Sequence, residues 1–137
     1  LTYSEIENTA FDGVPRQGKF NQRWLFNLSG GYQFNESWEA SFKLRYASGA
    51  PYTPFESDGS QLVSRYNTGT LPDVHSLDLR VDKKWFFETV TLITYIDVQN
   101  VYNKKNVFAY RWDRRDKKED GGGNIGILPS IGVSLEF

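Results

Sequence analysis

The sequence predicts an all-β protein built of long antiparallel strands, of the kind that crosses a membrane as the wall of a transmembrane β-barrel. Three observations predict it. Apolar and polar residues alternate with a period of two over most of the chain, the mark of strands with two unlike faces. The connections between these runs alternate between short and long, the layout of a barrel with tight turns at one rim and long loops at the other. Aromatic residues gather at the ends of the runs, with Leu, Val, Ile and Ala between them, as in the girdles where rings sit between lipid and water.

Each strand follows from its own pattern. RWLFNLSGGYQF sets Trp24, Phe26, Leu28, Gly30, Tyr32 and Phe34 against Leu25, Asn27, Ser29, Gly31 and Gln33. Gly30 and Gly31 mark either a bulge or small residues beneath neighbouring rings. After NES, WEASFKLRYAS places Trp38, Ala40, Phe42, Leu44 and Tyr46 on one face and Glu39, Ser41, Lys43 and Arg45 on the other. The two runs read as a hairpin with a loop of about three residues. SLDLRVDKKWF gives Leu77, Leu79, Val81 and Trp85, with Lys83 among them, opposite Ser76, Asp78, Arg80, Asp82 and Lys84. FET is a second short turn. VTLITYIDVQNVY then aligns Val90, Leu92, Thr94, Ile96 and Val98, although Ile93 and Tyr95 join Asp97 and Gln99 on the polar side. ILPSIGVSLEF closes the pattern with Pro129, Ile131, Val133, Leu135 and Phe137.

Long connections, taken as external loops, fall near residues 7–22, 49–75 and 103–126, where Gly, Pro, Ser, Thr and charged residues concentrate. VFAYRWD alternates within the last of them. It is read as a hairpin arm or a strand extension, because a further full strand would break the up-and-down parity. DRRDKKEDGGGN reads as a solvated loop. Its carboxylates Asp113, Asp116, Glu119 and Asp120 lack the spacing of a calcium loop, and Arg and Lys interleave with them.

This parity puts Phe34, Trp38, Trp85, Phe87 and Phe137 at the short-turn rim and Trp24, Tyr46 and Tyr102 at the long-loop rim. Lys83 is expected to extend its stem to the headgroups. The charges on the other face, Asp78, Arg80, Asp82 and Lys84, are expected to pair with Glu39, Lys43 and Arg45 on neighbouring strands.

Composition excludes several functions. A net charge of −1 favours no nucleic-acid partner. No cysteine is present, hence no disulfide or thiol chemistry. No run approaches the ~18 apolar residues of a membrane helix, yet 16% of residues are aromatic at a mean hydropathy of −0.56. With no methionine, no signal peptide and an opening LTYSEI that resembles a strand end, the chain is expected to be a processed product or a fragment. No enzyme, cofactor or metal is expected. The single histidine, His75, has Asp73 and Ser76 close by in sequence, but neighbours on a strand point apart and do not assemble a triad.

Two stretches carry a family resemblance. ILPSIGVSLEF resembles the C-terminal signal of bacterial outer-membrane proteins, here Ile131, Val133, Leu135 and the terminal Phe137, which the barrel-assembly machinery reads during biogenesis. YNTGTLPDVHSLDLRVDKKWFF with LITYIDVQNVYNKKNV, preceded by RYASGAPYTPF, resembles the last strands of TonB-dependent receptors, over about residues 22–137. The resemblance implies that residues 1–137 are the C-terminal part of a transmembrane barrel domain, about five to six strands of 22, with no plug domain. It implies a Gram-negative outer membrane and energy-coupled uptake of a scarce ligand of the siderophore, cobalamin or glycan class. The implied partners are the lipid bilayer, the rest of the barrel and plug, and TonB through a missing N-terminal part. Tyr52, Phe55, Tyr66, Phe108, Tyr110 and Trp112 become candidates for the ligand vestibule. The alternatives are a small outer-membrane barrel, for which ~8 strands are the minimum, or a soluble β-sandwich binding module, which the two aromatic rows disfavour.

Overall fold

A computed structural model describes residues 1–9, 11–123 and 125–137. The long alternating runs become β4 (Trp24–Gln33), β5 (Trp38–Ala47), β8 (Val74–Phe86), β9 (Thr91–Gln99) and β12 (Leu128–Glu136). With β1 (Thr2–Tyr3) they form one six-stranded sheet in the order β1-β4-β5-β8-β9-β12. The shorter strands are β2 (Glu7–Thr9), β3 (Pro15–Gln17), β6 (Pro51–Tyr52), β7 (Gly69–Thr70), β10 (Val107–Asp113) and β11 (Lys118–Gly123). They pair as three separate two-stranded ladders, β2-β3, β6-β7 and β10-β11. The architecture is all-β, and every recorded pairing is antiparallel. β1 and β12 are the two edges of the large sheet, which does not close on itself among the described residues.

Both short turns close as the spacing predicts. Phe34 N–H donates to Trp38 O at 2.9 Å. Within the turn, Asn35 Oδ1 accepts from the backbone N–H groups of Ser37 and Trp38, each at 2.9 Å. An Asn side chain that mimics a backbone acceptor in this way pins a tight turn. Phe87 N–H likewise donates to Val90 O at 2.9 Å.

Register then decides which side chains share a face. β8 and β9 align Leu79 with Val98, Val81 with Ile96, Lys83 with Thr94 and Trp85 with Leu92. β9 and β12 align Ile131 with Ile96, Val133 with Thr94 and Leu135 with Leu92. Because side chains alternate along each strand, these pairs fall on one face, and Arg80, Asp82, Tyr95, Asp97, Ser130 and Gly132 fall on the other.

The chain divides into two compact units. The loop unit comprises Leu1–Phe26, Tyr46–Val74 and Lys105–Asn124; the sheet unit comprises Asn27–Arg45, His75–Lys104 and Ile125–Phe137. Leu71, in the loop unit, is the one buried hydrophobic residue among those described, while Leu28, Val81, Ile96, Ile131, Val133 and Leu135 of the sheet unit are all exposed.

One stretch departs from its expected form. DRRDKKEDGGGN was expected to be a solvated loop, yet Lys118–Gly123 is strand β11, paired with β10 from Asp113–Lys118 to Val107–Gly123. VFAYRWD is therefore a hairpin arm. Acidic and glycine residues are poor strand formers by propensity, but here pairing to an alternating partner outweighs propensity.

Candidate functional site

Two surfaces stand out, one in each unit. The sheet unit presents an apolar face bounded by rings. Trp38 and Trp85 flank Lys83 at the short-turn end, with the Lys83 Nζ 4.9 Å from the Trp38 ring centroid and 3.7 Å from that of Trp85. The ammonium thus sits over two indole faces, whose negative electrostatic surfaces attract it. Trp85 Nε1 donates to Thr94 Oγ1 at 3.2 Å, which fixes the ring across the β8–β9 ladder. Phe34, Phe87 and Phe137 are exposed near the same strand ends. At the opposite ends, Tyr102 lies beside His75, its Oη 2.8 Å from His75 Nδ1. In the loop unit, Trp24 packs on Tyr3 at 4.8 Å between centroids, and Tyr46 donates to Asp73 at 2.7 Å.

The polar face of the sheet unit is tied by charge. Arg45 reaches Asp78 at 2.7 Å, and Asp78 also accepts the Asn100 N–H at 3.0 Å. Arg80 pairs with Asp82 on its own strand at 2.6 Å and lies 3.9 Å from the Tyr95 ring centroid. The expected cross-strand pairing therefore holds for Arg45 with Asp78 and is replaced for Arg80 by a contact within β8. Tyr95 explains its own break in the alternation: it lies across Gly132, where a Cβ would overlap the phenol ring. On the apolar face the Phe42 ring lies over Gly30, one of the two readings of the glycine pair, whereas Gly31 neighbours Ala40, Ser41 and Glu39.

The loop unit holds a cavity of about 520 Å³. Four of the six aromatic candidates line it: Tyr52, Tyr66, Phe108 and Tyr110. Phe55 and Trp112 instead stack on each other, 6.0 Å apart, outside the lining. Tyr52 and Tyr110 form a ring pair with centroids 4.9 Å apart. Gly69 makes room for it, since a Cβ there would come within 2.6 Å of Tyr52 Cε1.

Glu119 organises this wall, accepting from Tyr52 Oη at 3.0 Å and from the Phe55 N–H at 2.8 Å. Burial, and then the hydrogen bond to the Glu119 carboxylate, push the Tyr52 hydroxyl up to about 12. Asn67, in the left-handed region with φ 55°, donates through Nδ2 to Gln17 O at 2.7 Å, while its N–H donates to Thr53 Oγ1 at 3.1 Å.

The carboxylates of the acidic run are drawn to separate partners. Among the described residues no group of three or more His, Asp or Glu side chains could hold an ion. Asp113 accepts from the N–H groups of Arg115 and Asp116, Asp116 pairs with Lys118 at 3.0 Å, and Glu119 turns to Tyr52. Strand alternation separates Glu119 from Asp120, which are paired with Trp112 and Arg111 respectively.

Sequence reasoning missed Glu119 as a wall residue, and Lys19, Phe20, Gln61 and Asn67 as cavity residues. Phe20 carried a usable signal, an aromatic residue inside a predicted long loop. Glu119 and Asn67 carried none, since the partners of their side chains lie 50 to 67 residues away. No family model matches the chain, and no curated protein matches it.

Proposed function

We propose that the six-stranded sheet is part of the transmembrane wall of an outer-membrane β-barrel, and that the chain is the C-terminal portion of a TonB-dependent receptor. The observation that carries this reading is the exposed apolar face of the sheet unit, bounded at the short-turn end by Trp38, Trp85 and Phe87. A sheet face of Leu, Val and Ile needs an apolar neighbour, and lipid supplies one along the whole face. The long strands run 9 to 13 residues, in keeping with the ~9–11 that cross a bilayer at a tilt. Lys83 between two indoles fits a headgroup-level position at the inner rim. The loop cavity would then belong to the outer vestibule through which a receptor meets its ligand.

The chain has no native cysteine, so single cysteines can be introduced and spin-labelled without interference. Ile96→Cys and Ile131→Cys are expected to show high oxygen and low nickel-chelate accessibility in vesicles, with the reverse at Asp97→Cys and Ser130→Cys. Equal nickel accessibility on both faces would overturn the membrane reading. The receptor reading is tested separately, by the intact mass of the species extracted from outer membranes. A mass several-fold above the 15.8 kDa of the chain is expected; a species of that mass alone would exclude a complete transporter.

A further inference from the structure

We propose that the loop cavity binds a neutral oligosaccharide. The inference rests on reading the loop unit as the ligand-facing part of a receptor, and it goes beyond that reading by naming the ligand class.

Three rings around the cavity remain exposed: Phe20, Tyr66 and Phe108, at 77%, 47% and 55% of their full areas. Rings left open beside a concave surface leave much of their apolar area uncovered. The C–H faces of a pyranose ring cover such faces while its hydroxyls stay at the edges, within reach of polar groups.

Those polar groups lie between the rings. Gln61 spends its Nε2 on Thr53 O at 2.6 Å, and Asn67 spends its Nδ2 on Gln17 O. Both amides are thereby fixed in orientation, and an amide oxygen, which accepts two hydrogen bonds, can take one from a ligand hydroxyl. An amide held by its nitrogen is a preorganised acceptor, which costs little ordering on binding.

Charge separates the ligand classes. Among the described residues of the lining, Lys19 alone is formally charged, with its Nζ 5.9 Å from the Phe20 centroid. Glu119 is occupied by Tyr52 and Phe55 behind the wall. Burial and the Glu119 carboxylate hold the Tyr52 hydroxyl well above the usual phenol range, so it adds no charge near neutral pH. Recognition of an anionic chelate calls for clustered cations, above all Arg in bidentate geometry, and the lining contains no Arg. A volume of about 520 Å³ lies within the usual ~300–1,000 Å³ of small-ligand sites.

The test is titration calorimetry on the purified protein in detergent, with maltohexaose, cellohexaose and xylohexaose as neutral probes and a ferric tricatecholate and an uncharged hexapeptide as competitors. At least one neutral hexasaccharide is expected to bind, with a Kd that changes less than twofold between 50 and 500 mM NaCl. Tyr66→Ala and Phe108→Ala each alter an exposed side chain and are expected to weaken that binding about tenfold, with circular dichroism unchanged. Three results would overturn the proposal: no binding by any of the three sugars, sugar binding indifferent to both substitutions, or tighter binding of the chelate or peptide that both substitutions weaken. The spin-label comparison reads residues of the sheet unit and the calorimetry reads the loop unit, so failure of the membrane reading and failure of the sugar reading are told apart.

Discussion

In the loop unit, short strands and connections bury Asn21, Asn67, Asn106, Leu71 and Pro51, whereas the sheet unit buries only Asn100 among its described residues. The unit with less regular structure is the one that turns side chains inward. It does so with polar groups, such as the amide of Asn67, because a connection that folds on itself must satisfy its own backbone donors and acceptors. The sheet unit satisfies its backbone through ladders, which frees its side chains to face outward. Regular structure and a buried core are separate achievements, and a protein that uses its surroundings as the second layer needs only the first.

The sharpest way to break the comparison is to charge the outward face. Ile96→Arg is expected to cost about 2–4 kcal/mol in vesicles if the face meets lipid, against little change for Ser130→Arg on the polar face. Urea titration followed by tryptophan emission would measure both. If the two substitutions cost the same, the face does not meet lipid.

The next test concerns the inward unit. Glu119→Ala removes the acceptor of Tyr52 Oη and of the Phe55 N–H, for an expected loss of about 1.5–3 kcal/mol. Amide hydrogen exchange should quicken in residues 50–60 and 107–123 and stay unchanged in β8, β9 and β12. Faster exchange throughout would mean that the two units do not hold their stability separately.

A third test uses pH. Below pH 10 the Tyr52 hydroxyl keeps its proton whether the chain is folded or not, and its contribution to stability is complete. As pH rises from 10 towards 12 the unfolded chain ionises first, because the folded value is raised, so this contribution is lost across that window. Phenolate absorbance should show a late-titrating component, and Tyr52→Phe should reduce it. The smallest effect is expected at Lys83→Gln. It deletes the cation over Trp38 and Trp85 for about 0.5–1 kcal/mol, seen as a shift in tryptophan emission with the loop unit unaffected.

The sheet was readable in the sequence because a period of two leaves one choice of face. The short FET turn then fixes the register, which sets Leu79, Val81 and Trp85 opposite Val98, Ile96 and Leu92. The exceptions were readable as exceptions and not as causes: Tyr95 broke the pattern, and only the structure shows it lying over Gly132. In the loops, the aromatic candidates were selected by residue type. Type alone could not separate Tyr52, Tyr66, Phe108 and Tyr110, which line the cavity, from Phe55 and Trp112, which stack on each other. That division depends on contacts such as Tyr52 to Glu119, 67 residues apart, and no local pattern encodes them. β11 was hidden for a related reason, since KEDGGG becomes a strand only when β10 supplies its partner.

The edge position of β12 has a consequence for handling the chain. Among the described residues it pairs with β9 on one side only, so the row of backbone groups on its other side is open to a further strand, with apolar side chains at every second position. Such a row accepts any strand of suitable pattern, and a second copy of the same chain is the most abundant one in a refolding vessel. Recovery of folded material from these residues alone should therefore fall as chain concentration rises.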